Sequence, residues 1–367
     1  MKIKVWDYLK EYEASREEIL KLVDEVFSSG WLILGESVSE FENTFSSYCN
    51  SSYGIGVNSG TDALFLALKA LDIGPGDEVI TVANTAVPTV SAIVSTGAIP
   101  RFVDVKSNTY LMDIEQLDQV LTPKTKCVLP VHLYGQCVNM NRVTEFAQKN
   151  KLSVLEDCAQ SAGAMFEGKK SGAFGEVAAF SFYPTKILGG YGDGGMVVTQ
   201  KEELSEKVRK LRMYGMVGKY YSEEHGYNSR LDEVHAKILT LKLKYLDSYV
   251  EKRRLLADNY RRLLGGSELI LPEEAEGNSH AYYLYVVRHP RRDAIIEELK
   301  KHDIFLNISY PWPIHTMQGY VHLGYKKGDL PVTEDLAKEI FSLPMYPTLI
   351  EADQERTCQA ILKILGN

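Results

Sequence analysis

An α/β fold with a mostly parallel sheet is predicted by two observations. Between Val57 and Thr199 short β-branched runs alternate with helical stretches, the pattern from which sheets with crossover helices are built. The chain has 367 residues, 45% hydrophobic and 25% charged, enough apolar material for a sizeable core and two domains.

Taken in order, "MKIKVWDYLKEYEASREEILKLVDEVF" is an amphipathic opening without a long apolar run, so no membrane span or leader is expected. Helical "TDALFLALKAL" leads through the turn "GPGD" to the strand "EVITV", and "PTVSAIVSTG" leads to "PRFVDV". Then come the strand "KCVLPVHL", the helix "NRVTEFAQKN" and the strand "LSVLED". In such sheets ligands bind at loops that follow strands. After "GGMVVT" a charged helical pattern starts at Lys201, and "RLDEVHAKILTLKLKYLDSYVEKRRLLADNYRRLL" reads as one long helical connector. A boundary is expected near Leu246, giving a large domain over 1–246 and a smaller C-terminal α+β domain over 247–367. The latter is built from "HAYYLYVVRH", "RRDAIIEELKKH" and the closing helix "ADQERTCQAILKIL".

A formal charge of −8, with Lys and Arg scattered, argues against a nucleic-acid partner or a polybasic membrane contact. A small molecule is the expected partner. The five cysteines lack C-x-x-C spacing, and their odd number suggests reduced, buried thiols in the cytoplasm. No metal site is expected.

The stretch "SFYPTKILGGYGDGG" admits two readings. Gly190, Gly192 and Gly195 match G-x-G-x-x-G, but a dinucleotide turn needs a strand directly before the glycines and a helix after them. Here "VAAFSFY" ends too early and "MVVT" follows, so the glycines read as a tight loop between two strands. The other reading rests on Lys186. A lysine that holds pyridoxal phosphate as a Schiff base needs an anion site, a carboxylate for the pyridine nitrogen and a polar partner for the phenolic oxygen. Ser59, Gly60 and Thr61 open an apolar helix, which suits a phosphate and equally a plain helix cap. Asp157 ends a strand, where it can keep a pyridinium protonated although an Asp there is more often a turn former, and Gln160 follows three residues on.

The motifs "NSGTDAL", "EDCAQSAGA", "SFYPTKILGGYGDGG" and "GYNSRLDEVHAKIL", in this order, resemble the DegT/DnrJ/EryC1/StrS family of nucleotide-sugar aminotransferases, of the aspartate-aminotransferase fold (fold type I), along nearly the whole chain. The resemblance implies pyridoxal 5'-phosphate as cofactor, with Lys186 as its covalent anchor and Asp157 on the pyridine nitrogen. Gln160 would bond the phenolic oxygen, and Gly60, Thr61 and Ser181 would hold the phosphate. Asn228 would reach the phosphate in a neighbouring subunit, which implies a homodimer. One departure is Ala86, at a position where many members carry an aromatic residue against the cofactor ring. "ANTAVPT", "SFYPTK" and "NISYPWPIHTM" resemble the branch that transfers an amino group from glutamate to carbon 3 of a dTDP-3-keto-6-deoxyhexose. Tyr183, Tyr310 and His315 are then expected around the sugar; thymidine diphosphate needs cationic or aromatic contacts, and Arg212, Tyr214 and Arg230 lie near these motifs without the sequence fixing which of them touch it. A carbon 4 aminotransferase and a non-catalytic regulatory protein on the same fold are the alternatives.

Overall fold

The computed structural model describes residues 2–366. Seven strands form the central sheet: β1 (Tyr53–Val57), β2 (Glu78–Val82), β3 (Ile99–Val103), β4 (Thr125–Val128), β5 (Ser153–Asp157), β6 (Val177–Ser181) and β7 (Gly195–Thr199). Their order across the sheet is β1-β7-β6-β5-β4-β2-β3. Strand β7 runs antiparallel to both β1 and β6, and the remaining pairings are parallel. Helices cover the sheet, and "EVITV" and "GMVVT" are buried along their whole length, which is why they read as continuous apolar runs.

The helices that matter for the site are α1 (Leu9–Ser29), α2 (Glu36–Tyr48), α3 (Gly60–Ala70), α4 (Val87–Ser95), α5 (Met140–Asn150), α6 (Glu202–Leu211), α7 (Glu233–Leu243) and α8 (Leu246–Leu264). Helix α3 packs across β6 and β7, apolar on most sides because it lies between the sheet, α4 and α6. Rings of Phe41, Phe45, Phe180 and Phe182 meet edge to face under α2, with Phe45 at 4.9 Å from Phe180 and 5.2 Å from Phe182. Such pairs add roughly 0.5–1.5 kcal/mol each beyond the area they bury.

A second buried cluster joins Tyr260, Tyr282, Tyr285, Phe341 and Leu343 to Ile3. Strand Ile3–Lys4 pairs with Ile304–Phe305, so the N-terminal segment belongs with the C-terminal cluster in packing, although sequence order put it with the large domain. We propose Leu246, the first residue of α8, as the boundary between the two units. The expected single connector is two helices, α7 and α8, separated at Lys244 and Tyr245. No Pro or Gly marks that break. The strand expected over "HAYYLYVVRH" is confined to Tyr285–Arg288, because Tyr282 takes a left-handed conformation (φ 46°).

Candidate active site

The site is built where the loops after β1, β2, β4, β5 and β6 converge on the start of α3. Ser59 caps α3: its extended backbone lets the hydroxyl accept from the Asp62 N–H at 3.1 Å. The amides of Gly60 and Thr61 stay available at the positive end of the helix, a ready anion site. Ser181, the last residue of β6, closes this cradle. A Cβ on Gly60 would lie 2.6 Å from the Ser181 Cβ and 3.0 Å from its hydroxyl, so only glycine lets the amides and the hydroxyl converge. The Ser181 hydroxyl accepts from the Tyr183 N–H at 3.3 Å and keeps its own proton to donate.

Asp157 ends β5 and is buried. Its Oδ2 accepts from the Thr89 hydroxyl at 2.8 Å and its Oδ1 from the Ala159 N–H at 3.1 Å. Burial pushes the carboxyl up, while those two donors and the charges of Lys186 and His132 pull it down. A cation placed against it would offset the burial cost, which is what a protonated pyridine nitrogen offers.

Gln160 is oriented by its partners. Its carbonyl oxygen accepts from the Tyr134 N–H at 2.8 Å, so its amide nitrogen must face the other way, where it donates to the Tyr310 hydroxyl at 2.8 Å. Tyr134 and Tyr310 stack at 6.1 Å with planes 13° apart, both on left-handed backbone (φ 58° and 66°). A donor is thus presented beside two parallel rings. Strain of this kind costs about 1–3 kcal/mol per residue and is tolerated where the surroundings fix it.

Lys186 follows β6 on a turn closed by its N–H donating to the Tyr183 carbonyl at 2.9 Å. Its Nζ stands 4.5 Å from the Tyr283 ring centroid, and the Tyr283 hydroxyl is 3.0 Å from the Thr185 hydroxyl, so the aromatic face under the ammonium is held in place. The glycines that follow serve the loop between antiparallel β6 and β7, as expected: the Gly190 N–H donates to Phe182 at 2.8 Å, and a Cβ on Gly195 would lie 2.2 Å from the Ser59 carbonyl oxygen. No helix follows them.

Of the residues expected around the sugar, Tyr310 joins this constellation through Gln160, and Tyr183 stands 52% exposed at its edge. His315 is buried, its Nε2 3.0 Å from Glu334, and it meets the Tyr325 ring edge-on where both line a cavity of about 850 Å³ with Ile308 and Trp312. Asn228 is exposed, while its neighbour Ser229 donates to the Asn58 side chain at 3.2 Å beside the start of α3. Arg212 is buried and committed to Glu42 and the Gly56 carbonyl. Arg230 lines a polar cleft of about 430 Å³ with Ser59 and Asp62, its guanidinium 5.8 Å from the Tyr214 ring. Ala86 is the residue before α4, and Thr89, in the first turn of that helix, is the side chain that reaches Asp157.

Sequence reasoning missed Thr85, Thr89, Tyr134 and Tyr283. The threonines were visible as a pair four residues apart, the spacing of neighbours on one helical face. Possible ligand atoms of His132, Glu156 and Cys158 also lie within 4.8 Å of one another. Both ring nitrogens of His132 are used, however: Nδ1 accepts from the Val138 N–H at 3.1 Å and Nε2 pairs with Glu156 at 2.9 Å. Glu156 further accepts from the amides of Gly172, Phe174 and Gly175, and these bonds hold it ionised in the core against the cost of burial. Burial pushes the Cys158 thiol well up. This cluster ties the loops together and offers no free ligand set.

Anion cradle, buried carboxylate, oriented amide donor and lysine match the phosphate, ring nitrogen, phenolic oxygen and aldehyde carbon of pyridoxal phosphate in chemistry. The sequence pattern of the DegT/DnrJ/EryC1/StrS aminotransferase family matches residues 13–362. A dTDP-3-amino-3,4,6-trideoxy-alpha-D-glucose transaminase of Micromonospora megalomicea subsp. nigra is 52% identical over 98% of both chains. A "pleiotropic regulatory protein" of Geobacillus stearothermophilus is 43% identical, again over 98% of both. The crystal structure of S. venezuelae DesV in complex with a ketimine intermediate superposes with a TM-score of 0.98 at 39% identity, covering 100% of this chain and 99% of that one.

Proposed function

We infer the reaction from one premise: this chain belongs to the DegT/DnrJ/EryC1/StrS aminotransferase family. It is a pyridoxal 5'-phosphate-dependent sugar aminotransferase of the aspartate-aminotransferase fold. When bound, the cofactor supplies the aldehyde that takes up an amino group and a ring that accepts the electrons of the bond being broken. The chain does the rest. In our reading Gly60, Thr61 and Ser181 hold the phosphate, Asp157 keeps the ring nitrogen protonated, and Gln160 donates to the phenolic oxygen. The Lys186 Nζ would anchor the cofactor and, once displaced by the amino donor, would take a proton from the donor's α-carbon and return it two bonds away, across the donor's nitrogen. The Tyr283 ring lies under the Lys186 Nζ, its centroid 4.5 Å away.

The donor is glutamate and the acceptor is the 3-keto form of a dTDP-linked 6-deoxyhexose. The observation that carries this is the 52% identity, over the full chain, to a transaminase named for a dTDP-3-amino sugar. Tyr183, exposed three residues before Lys186, is the hydroxyl we place beside the sugar, with Tyr310 behind it. Because that relative's name carries a 4-deoxy sugar, the 4-deoxy acceptor is a second substrate to test. The regulatory name borne by another relative favours no loss of chemistry here, since Lys186, Asp157 and Gln160 are all in place. Five buried, unpaired cysteines fit a reducing compartment, so we place the enzyme in the cytoplasm; among the described residues no helix is long and apolar enough to cross a membrane.

The test offers dTDP-linked 3-keto and 4-keto 6-deoxyhexoses, and the 4-deoxy 3-keto sugar, at equal concentration with glutamate. Amine position is read by NMR and preference by kcat/KM. We expect amination at carbon 3, with the 4-keto isomer disfavoured by several orders of magnitude where a sugar hydroxyl goes unpaired. Predominant amination at carbon 4 overturns the reading.

A further inference from the structure

Asp157 is held by more than its neighbours on the strand. Thr89 sits in the first turn of α4, buried, its hydroxyl 2.8 Å from the Asp157 Oδ2. An ionised carboxylate can only accept, so Thr89 must donate its single proton there. The Thr89 oxygen also lies 2.9 Å from the hydroxyl of Thr85, buried in its turn. With its proton already committed, Thr89 must accept from Thr85. The direction is forced, Thr85 to Thr89 to Asp157. Among the described residues the Thr85 hydroxyl has no other hydrogen-bond partner than Thr89.

We propose that Thr89 is a positioning residue for Asp157 and that Thr85 acts through it, the two forming a one-way hydroxyl relay that sets the orientation and basicity of the carboxylate facing the ring nitrogen. The proposal rests on the reading that Asp157 faces that nitrogen. With Oδ1 on the Ala159 amide and Oδ2 on Thr89, the carboxylate plane is fixed at both ends. A donated bond stabilises the ionised form, so a proton shared between Asp157 and the ring stays on the ring. Thr85 strengthens that bond by polarising Thr89, since chained hydrogen bonds reinforce one another in a buried setting. Ala86 lies between the two threonines, so in this chain the loop serves the ring nitrogen through hydroxyls.

The test loads the enzyme with pyridoxal phosphate labelled with ¹⁵N in the ring and compares wild type with Thr89→Val, Thr89→Ser, Thr85→Val and Asp157→Asn. Valine keeps the shape of threonine, and a thermal melt confirms folding. Thr89→Val should move the ring ¹⁵N resonance toward the unprotonated position, in the same direction as Asp157→Asn. It should slow single-turnover deamination of glutamate roughly tenfold to a hundredfold, the range for a lost bond to a charged group. Thr85→Val should do the same more weakly, about twofold to fivefold. Thr89→Ser, which keeps the hydroxyl, should retain the wild-type resonance, and it carries the test should the valine variant fail to fold. A wild-type resonance in Thr89→Val makes its hydroxyl a packing group and overturns the proposal. A full Thr89 effect with none from Thr85→Val overturns the relay. Should Asp157→Asn itself leave the resonance unmoved, the pairing of Asp157 with the ring falls, and the relay with it.

Discussion

At the scale of single residues, we propose that the chemistry concentrates on Lys186 and that its loss is separable from the fold. The side chain lies over the Tyr283 ring, while Ile187 and Leu188 beside it are buried and stay so in a variant. Lys186→Ala should therefore keep its melting temperature and lose turnover by at least about 10² to 10⁴, the range of general acid/base help alone. Steady-state assays beside circular dichroism check this, and near-normal turnover would remove Lys186 from the mechanism. A different residue governs behaviour in acid. Burial, together with the charges of Arg254 and Arg261, pushes His280 down to about 3. Its Nδ1 accepts from the Tyr282 N–H at 2.8 Å, which fixes the neutral ring. Above the ordinary histidine range both folded and unfolded chains are neutral here, and stability is unaffected. Below about 6.5 the unfolded chain takes up a proton that the folded chain refuses, so stability falls by up to about 1.4 kcal/mol per pH unit until about pH 3. Melts of His280→Gln between pH 7 and 5 should show a shallower fall than wild type, and parallel curves would contradict the assignment.

At the scale of elements, long-range bonds replace local signals. Helix α2 begins after Gly35 with no side-chain cap of its own. The cap comes from Glu233 at the start of α7, whose carboxylate accepts from the amides of Gly35, Ser37 and Val38 at 2.7, 2.9 and 3.0 Å, 195 to 198 residues away in the chain. Glu233→Gln removes the charge and turns an N–H toward those donors. It should cost about 1.5–3 kcal/mol, the range for bonds to charged groups, as a lower denaturation midpoint with unchanged slope. No change in midpoint would mean that water caps α2 equally well. The same contrast explains which elements were legible. Strands β2 and β5 and helices α3 and α5 stand out because period and turn residues agree locally with the fold. The gap between α7 and α8 does not, because "LKLKYLDSYV" carries no breaking residue and only packing turns the chain. In the site, Lys186, Asp157, Gln160 and Gly60 were readable from strand ends and spacing. Thr89 and Tyr283 were not, since a threonine in the first turn of a helix and a tyrosine among tyrosines acquire meaning only when β5 and β6 bring Asp157 and Lys186 beside them. The commitment of Arg212 was hidden for the same reason: its partner, Glu42, lies 170 residues away.

At the scale of the whole molecule, the surface is not that of a chain built to stay alone. Phe27, Trp31 and Leu32 are each more than half exposed where α1 meets the Glu233-clamped segment, and Val217, Tyr220 and Tyr221 are exposed on the hairpin that precedes Asn228. Clustered apolar exposure of this kind marks an interaction face. Asn228 itself is exposed, bridged through its backbone to Met213. We therefore predict a homodimer with shared sites, in which Asn228 of one protomer completes the phosphate cradle of its partner. Lys186→Ala and Asn228→Ala homodimers should each be impaired. Co-expressed with separate tags, they should regain activity, because a mixed dimer holds one site with an intact lysine from one chain and an intact asparagine from the other. Random assortment makes half the dimers mixed, each with one complete site of two, so recovery should approach about a quarter of wild-type activity. Purified mixed dimers without activity above the two parents would show that each chain builds its site alone, and Asn228 would then be a surface residue only.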